Sequence, residues 1–186
     1  MATAGITLEN PLRGEEFTFL KTSEETKGQE ICLYVKAQPG FPVPPLHKHP
    51  RQKESVLVES GYMCIKFREK EVILGPGDYF EIMPGVEHAW YNPREDEELS
   101  FTFQLSPALD SELMLETMLS LIKQGKVNKS GKLHWFQQAV LTKRYAELMQ
   151  QESTAFTNRK WLHKMGAPIG KLLGYKSYVP YPERFV

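Results

Sequence analysis

Apolar and polar positions alternate along much of the first half of the chain. Residues 31–37 set Ile31, Leu33 and Val35 against Cys32, Tyr34 and Lys36, and residues 99–105 set Leu99, Phe101, Phe103 and Leu105 against Ser100, Thr102 and Gln104. A period of two sends successive side chains to opposite faces, so each stretch predicts a half-buried strand. Shorter strands are expected over 6–10, 17–20, 54–59, 62–67, 71–74 and 79–83. Turn signals separate them: Pro11 to Gly14, Pro39-Gly40, Ser60-Gly61, Arg68-Glu69-Lys70, Gly75 to Asp78 and Pro84-Gly85. Many short strands with regular turns predict a mainly β fold, an antiparallel jelly-roll barrel.

After Ser106-Pro107 the period changes. Leu113, Met114, Met118, Leu121 and Ile122 recur at helical spacing, with Asp110 or Ser111 to cap the start and Gly125 to stop it. A second helix is expected over 133–151, with Trp135, Ala139, Leu148 and Met149 on its apolar stripe. A third helical segment is expected over 158–173, interrupted by Gly166, Pro168 and Gly170. The expected organisation is a barrel over residues 1–107 and a helical extension over 108–186, packing on the barrel or on a dimer partner.

Charge sharpens this division. Residues 1–122 hold 11 Lys/Arg and 20 Asp/Glu, a balance of −9, whereas residues 123–186 hold 12 and 3, a balance of +9. Packing on the barrel, a homodimer contact or contact with an anionic membrane surface would each use a basic tail, the last being the least expected. No recognition helix is legible, so no nucleic-acid partner is expected. No apolar run approaches the roughly 20 residues of a membrane span. Residues 1–5 show no secretory pattern, and two cysteines make no disulfide framework, so a cytoplasmic location is expected.

The chemistry lies in Pro45 to Glu54 and in Pro84 to His88. His47 and His49 are two apart, so on an extended strand both imidazoles point to one side. Glu54 has the wrong parity for the same straight strand, and Pro50 supplies the break. His88 comes from further along, which calls for a closed sheet. Imidazoles and a carboxylate without thiolate suit one divalent transition metal: iron, manganese, nickel, zinc or copper. Strand parity places Val56 and Val58 on the Glu54 face and Trp90 on the His88 face, with Phe101 and Phe103 nearby and Phe41 at the mouth, as an apolar pocket lining. Glu87 points away from His88.

These positions resemble the cupin superfamily. Its first motif is matched by Gly40, His47-x-His49, Glu54 and Gly61, with a spacer one residue longer than usual after Gly40. Its second is matched by Gly77-Asp78, Gly85, His88 and Asn92, with Met83 where a proline is usual. The resemblance covers roughly residues 30–106. It implies a cupin-type barrel, a metal held by His47, His49, Glu54 and His88, structural roles for Asp78 and Asn92, and a homodimer. It leaves the reaction open: an oxygenase, lyase or isomerase step on a small organic molecule, or binding and sensing without turnover.

Overall fold

A computed structural model of the chain describes residues 3–128, 131–148, 150–151 and 160–182. The strands are β1 (Thr7–Asn10), β2 (Glu15–Lys21), β3 (Ile31–Ala37), β4 (His47–Lys48), β5 (Lys53–Ser60), β6 (Met63–Lys66), β7 (Glu71–Leu74), β8 (Tyr79–Ile82), β9 (Ala89–Tyr91) and β10 (Leu99–Ser106). Helices α1 (Ser111–Lys123) and α2 (Trp135–Tyr145), the short strand β11 (Gln150–Gln151) and helix α3 (Lys160–Leu172) follow. Every pairing is antiparallel. One sheet runs β1-β2-β3-β10-β5-β8, a second runs β7-β6-β9, and β11 pairs with β4. The expected jelly roll is the fold observed.

The alternation seen in the sequence becomes rows of side chains across the large sheet. Val35, Phe101 and Val58 lie opposite one another, as do Leu33, Phe103, Val56 and Phe80. The next row is Ile31, Leu105, Glu54 and Ile82, a carboxylate set among three apolar neighbours. The second sheet closes over these rows. Met63 and Ile65 are fully buried, and Trp90 meets Phe101 edge-on with ring centroids 4.8 Å apart. Each buried side chain of this size stabilises the barrel by about 1.5–3 kcal/mol. Gly61 turns β5 into β6 at φ +75°, where a Cβ would meet the Glu98 carbonyl oxygen at 2.5 Å. Only glycine fits that turn.

The extension wraps the barrel. Leu119 of α1 and Tyr181 belong to the barrel core, and the Glu9 amide donates to the Tyr181 hydroxyl oxygen. The last described segment crosses α1: buried Glu116 accepts from the Tyr178 hydroxyl and the Tyr181 amide, and the Ser120 hydroxyl donates to the Pro180 carbonyl. A second cluster of Leu121, Leu141, Tyr145 and Leu148 joins α1 to α2. Arg144 pairs with Asp110 just before α1. The Asp110 side chain makes no capping bond to α1.

Two sequence expectations change here. The second helix stops at Tyr145 rather than continuing to 151, because the chain leaves it to pair as β11 with the free edge of β4. Met149 lies outside the described residues. In the third segment, Gly166, Pro168 and Gly170 do not interrupt the helix. The two glycines instead let α3 approach α2, since a Cβ on Gly166 would meet Trp135 Cη2 at 2.7 Å and one on Gly170 would meet Val140 Cγ2 at 2.9 Å. The opposite side of α3 leaves Met165, Ile169 and Leu172 exposed. Among the described residues no helix is long and apolar enough to cross a membrane.

Candidate metal centre

His47 enters on β4 after a proline-rich stretch without regular structure, and a backbone pair fixes it against His88. The His47 amide donates to the His88 carbonyl and the His88 amide to the His47 carbonyl, both at 2.8 Å. This bridge ties the first histidine segment to the second. The Gly85 amide adds a bond to the His49 carbonyl, also at 2.8 Å. Glu54 arrives from β5 in the Ile31, Leu105 and Ile82 row. The structure thus brings His47, His49, Glu54 and His88 together, with one ligand atom from each lying within 4.8 Å of the others. Glu54 and His88 are each 1% exposed, His49 is buried and His47 is half-buried.

Each imidazole is oriented through its other nitrogen. His88 Nδ1 lies 2.9 Å from the Val86 carbonyl and His49 Nδ1 lies 2.8 Å from the Leu148 carbonyl. His47 bonds to the Pro45 carbonyl. A carbonyl only accepts, so these contacts put a proton on each outward nitrogen and turn Nε2 of His49 and His88 toward Glu54. The Nε2 atoms of His88 and His49 stand 3.0 and 3.3 Å from Glu54 Oε2.

The electrostatics follow from this packing. Burial works to raise the Glu54 carboxyl, but hydrogen bonds from His49 and His88 outweigh it and hold the group down at about 2. Burial works to lower His88, and the Glu54 carboxylate outweighs that to raise it. Burial pushes His47 down to about 4, which keeps that imidazole neutral and able to ligate.

The donor set fits a cation. Glu54 Oε1 is buried and has no hydrogen-bond partner, an arrangement that costs about 1–3 kcal/mol unless something satisfies it. Two ligands at about 2.1 Å from a common ion lie at most about 4.2 Å apart, so the cluster needs only a small contraction to close on one. Three neutral imidazoles and one carboxylate around an ion are the arrangement expected from the sequence.

The expected lining residues divide. Val56, Val58 and Phe101 are fully buried in the barrel core on the Glu54 face, and Trp90 and Phe103 pack against the same core. Phe41 is a correction. It lies over Gly14, beside the Ala37 end of the large sheet, whereas Glu54 pairs with Leu105 at the other end. The run from Phe41 to His47 has no regular structure before β4 and is long enough to separate the two. Asp78 accepts from the Gly75 amide, and Asn92 donates to the Ala37 and Glu97 carbonyls, so both organise turns as expected. His134 stacks on Tyr175, away from the cluster, and the His163 side chain lies outside the described residues.

Three features were not legible in the sequence. The Leu148 carbonyl reaches His49 from 99 residues away. Glu87 turns from His88, as expected, but forms ion pairs with Arg68 at 2.7 Å and Lys48 at 4.0 Å. Beside them lies an open groove of about 650 Å³ lined by Phe67, Arg68, Lys70, Phe80, Ile82, Met83, Val86 and Glu87 among others. None of the four cluster residues lines it; it is linked to them through Ile82, the cross-strand neighbour of Glu54, and through Val86, whose carbonyl holds His88. A signal that could have found it is the alternation of Phe80 and Ile82, which pair with Val56 and Glu54.

A family model of the cupin domain matches residues 33–104. No curated protein matches the chain. Among solved structures, KdgF from Halomonas sp. is similar at 20% identity, covering 57% of this chain and 92% of its own, with a TM-score of 0.48. A cupin-like protein from Thermotoga maritima is similar at 25% identity, covering 55% and 77%, with a TM-score of 0.46. The EutQ protein of Clostridium difficile is similar at 20% identity, covering 54% and 67%, with a TM-score of 0.44. The family match runs from within β3 to within β10 and contains both histidine segments, so residues 33–104 form a cupin domain.

Proposed function

We propose that His47, His49, Glu54 and His88 hold one divalent transition metal and that the protein is a metal-dependent enzyme acting on a small organic molecule. The observation that carries this reading is the buried Glu54 carboxylate, whose Oε2 faces imidazoles pinned through their outer nitrogens and whose Oε1 has no hydrogen-bond partner. When bound, a metal held by His47, His49, Glu54 and His88 would supply Lewis acidity. Oxygenation, or a lyase or isomerase step, is the reaction class this supports.

The chain's own groups set the surroundings. Glu54 supplies the one negative charge among the ligands. Val56, Val58, Phe101, Phe103 and Trp90 exclude water on the barrel side. The substrate then approaches past Phe80, Ile82 and Val86, where the groove carries charges of both signs, Arg68 and Lys70 beside Glu69, Glu81 and Glu87. Its apolar floor favours a small molecule with an apolar body. Cys32 and Cys64 are both unpaired, which fits a reducing cytoplasmic setting.

A binding or sensing protein without turnover is the second reading. It draws on the dense packing of Val56, Val58 and Phe101, which fills the barrel interior beside Glu54. The two separate in one assay. Metal-loaded protein is incubated with a panel of small aromatic and aliphatic carboxylates, and oxygen uptake and product formation are followed against Glu54→Gln. Turnover lost in the variant supports the enzyme. A ligand retained unchanged by the loaded protein, with no turnover across the panel, supports the binder.

A further inference from the structure

Beyond the four ligand side chains, we infer that the C-terminal extension completes the metal centre, with the Leu148 carbonyl as the positioning group for His49. This rests on the metal-binding reading of the site. The motif loop between His49 and Glu54 is gripped from the extension side at consecutive points. His49 Nδ1 donates to the Leu148 carbonyl at 2.8 Å. Arg51 pairs with Glu147 at 2.7 Å. Gln52, 1% exposed, donates through Nε2 to the Pro107 carbonyl at 2.8 Å and to the Ser111 hydroxyl at 2.7 Å. Gln150 and Gln151 pair along Lys48 and His47 as β11.

The other two histidines differ. His88 is oriented by Val86 and His47 by Pro45, each two residues away on the same segment. His49 is the ligand whose orientation comes from outside the barrel strands. Leu148 is itself anchored, 4% exposed, in the cluster formed with Leu121, Leu141 and Tyr145. The packing of α1 and α2 therefore sets where its carbonyl points. An accepting carbonyl on Nδ1 fixes the tautomer, leaves Nε2 free to ligate and raises its basicity, and losing such a partner typically weakens metal binding by about 10–100-fold.

If the extension orients a ligand, metal binding and docking of the extension share one coupling factor, and each strengthens the other equally. Bound metal makes residues 146–151 harder to release, and loosening that segment weakens the metal.

The test uses the full-length protein and Co²⁺, whose visible absorption reports its ligand geometry. Backbone amide exchange at 146–151 is measured with and without the ion, and affinity is measured by chelator competition. The inference predicts that Co²⁺ slows exchange in this segment by about tenfold or more. It also predicts that Leu148→Gly and Gln150→Pro each weaken Co²⁺ by about tenfold or more and shift its spectrum. Leu148→Met, which keeps the buried anchor, restores both. Co²⁺ bound at the cluster with unchanged exchange at 146–151 overturns the inference while leaving the metal reading intact. So do variants whose 146–151 amides exchange freely while affinity and spectrum stay those of the wild type. Absence of Co²⁺ binding by the wild-type protein overturns both.

Discussion

His88 and His49 face the same carboxylate, but different parts of the chain hold their outer nitrogens. For His88 the acceptor is Val86, two residues earlier in the same turn; for His49 it is Leu148, 99 residues later. The first contact forms with the turn itself and requires no further ordering of chain. The second exists only after α1 and α2 have packed and closed a long loop. The barrel thus determines which side chains meet, and the extension determines how one of them is presented.

Several measurements break or sharpen this contrast. The largest effect belongs to Glu54→Gln, which removes the charged ligand and leaves an amide in a site 1% exposed. Metal affinity should fall by more than the roughly 100-fold upper end for changes around a ligand, measured by chelator competition. Next is Phe101→Ala, on the barrel side. Phe101 is fully buried against Trp90, and its loss should cost about 3–5 kcal/mol in urea denaturation.

Gly166→Ala strikes the extension alone. The added methyl collides with Trp135 and should cost about 1–3 kcal/mol, seen as faster amide exchange in α2 with β5 and β10 unaffected. The pH dependence of metal binding is a further probe. The proton between His88 and Glu54 competes with the cation, and His88 is raised above its ordinary value by that carboxylate against the effect of burial. Affinity should therefore fall by about tenfold per pH unit once pH drops below the raised His88 value, with release of a proton on binding. Titrations in buffers of different ionisation enthalpy measure that proton. His47, held at about 4, contributes nothing until far lower pH. The smallest effect is Glu147→Ala. Its pair with Arg51 is largely solvent-exposed, so stability should change by no more than about 0.5 kcal/mol.

Residues that act through a period of two were readable from the sequence. Ile31 to Val35, Val56, Val58, Phe101 and Leu105 point where alternation sends them, because a strand has no other way to bury them. That His47, His49, Glu54 and His88 meet was readable from the two motifs that resemble the cupin motifs; local spacing alone reached only His47 and His49. The extension was not readable at the same depth. The departure of residues 146–148 and 150–151 from the helix depends on the free edge of β4, and the glycines of α3 serve a contact with α2 that periodicity does not encode. The Leu148 carbonyl belongs to the backbone, so no side-chain pattern marks it. Phe41 was misplaced because a proline-rich run carries no parity, and the Gly14 turn that receives it is distant in sequence.

Elemental analysis of the protein purified without a histidine tag, beside His49→Ala, decides whether the cluster holds a metal. About one iron, manganese, nickel, copper or zinc ion per chain is expected in the wild type, with loss of that ion in the variant. Wild-type protein that takes up none of these ions after reconstitution, or a variant that keeps the full amount, would contradict that expectation.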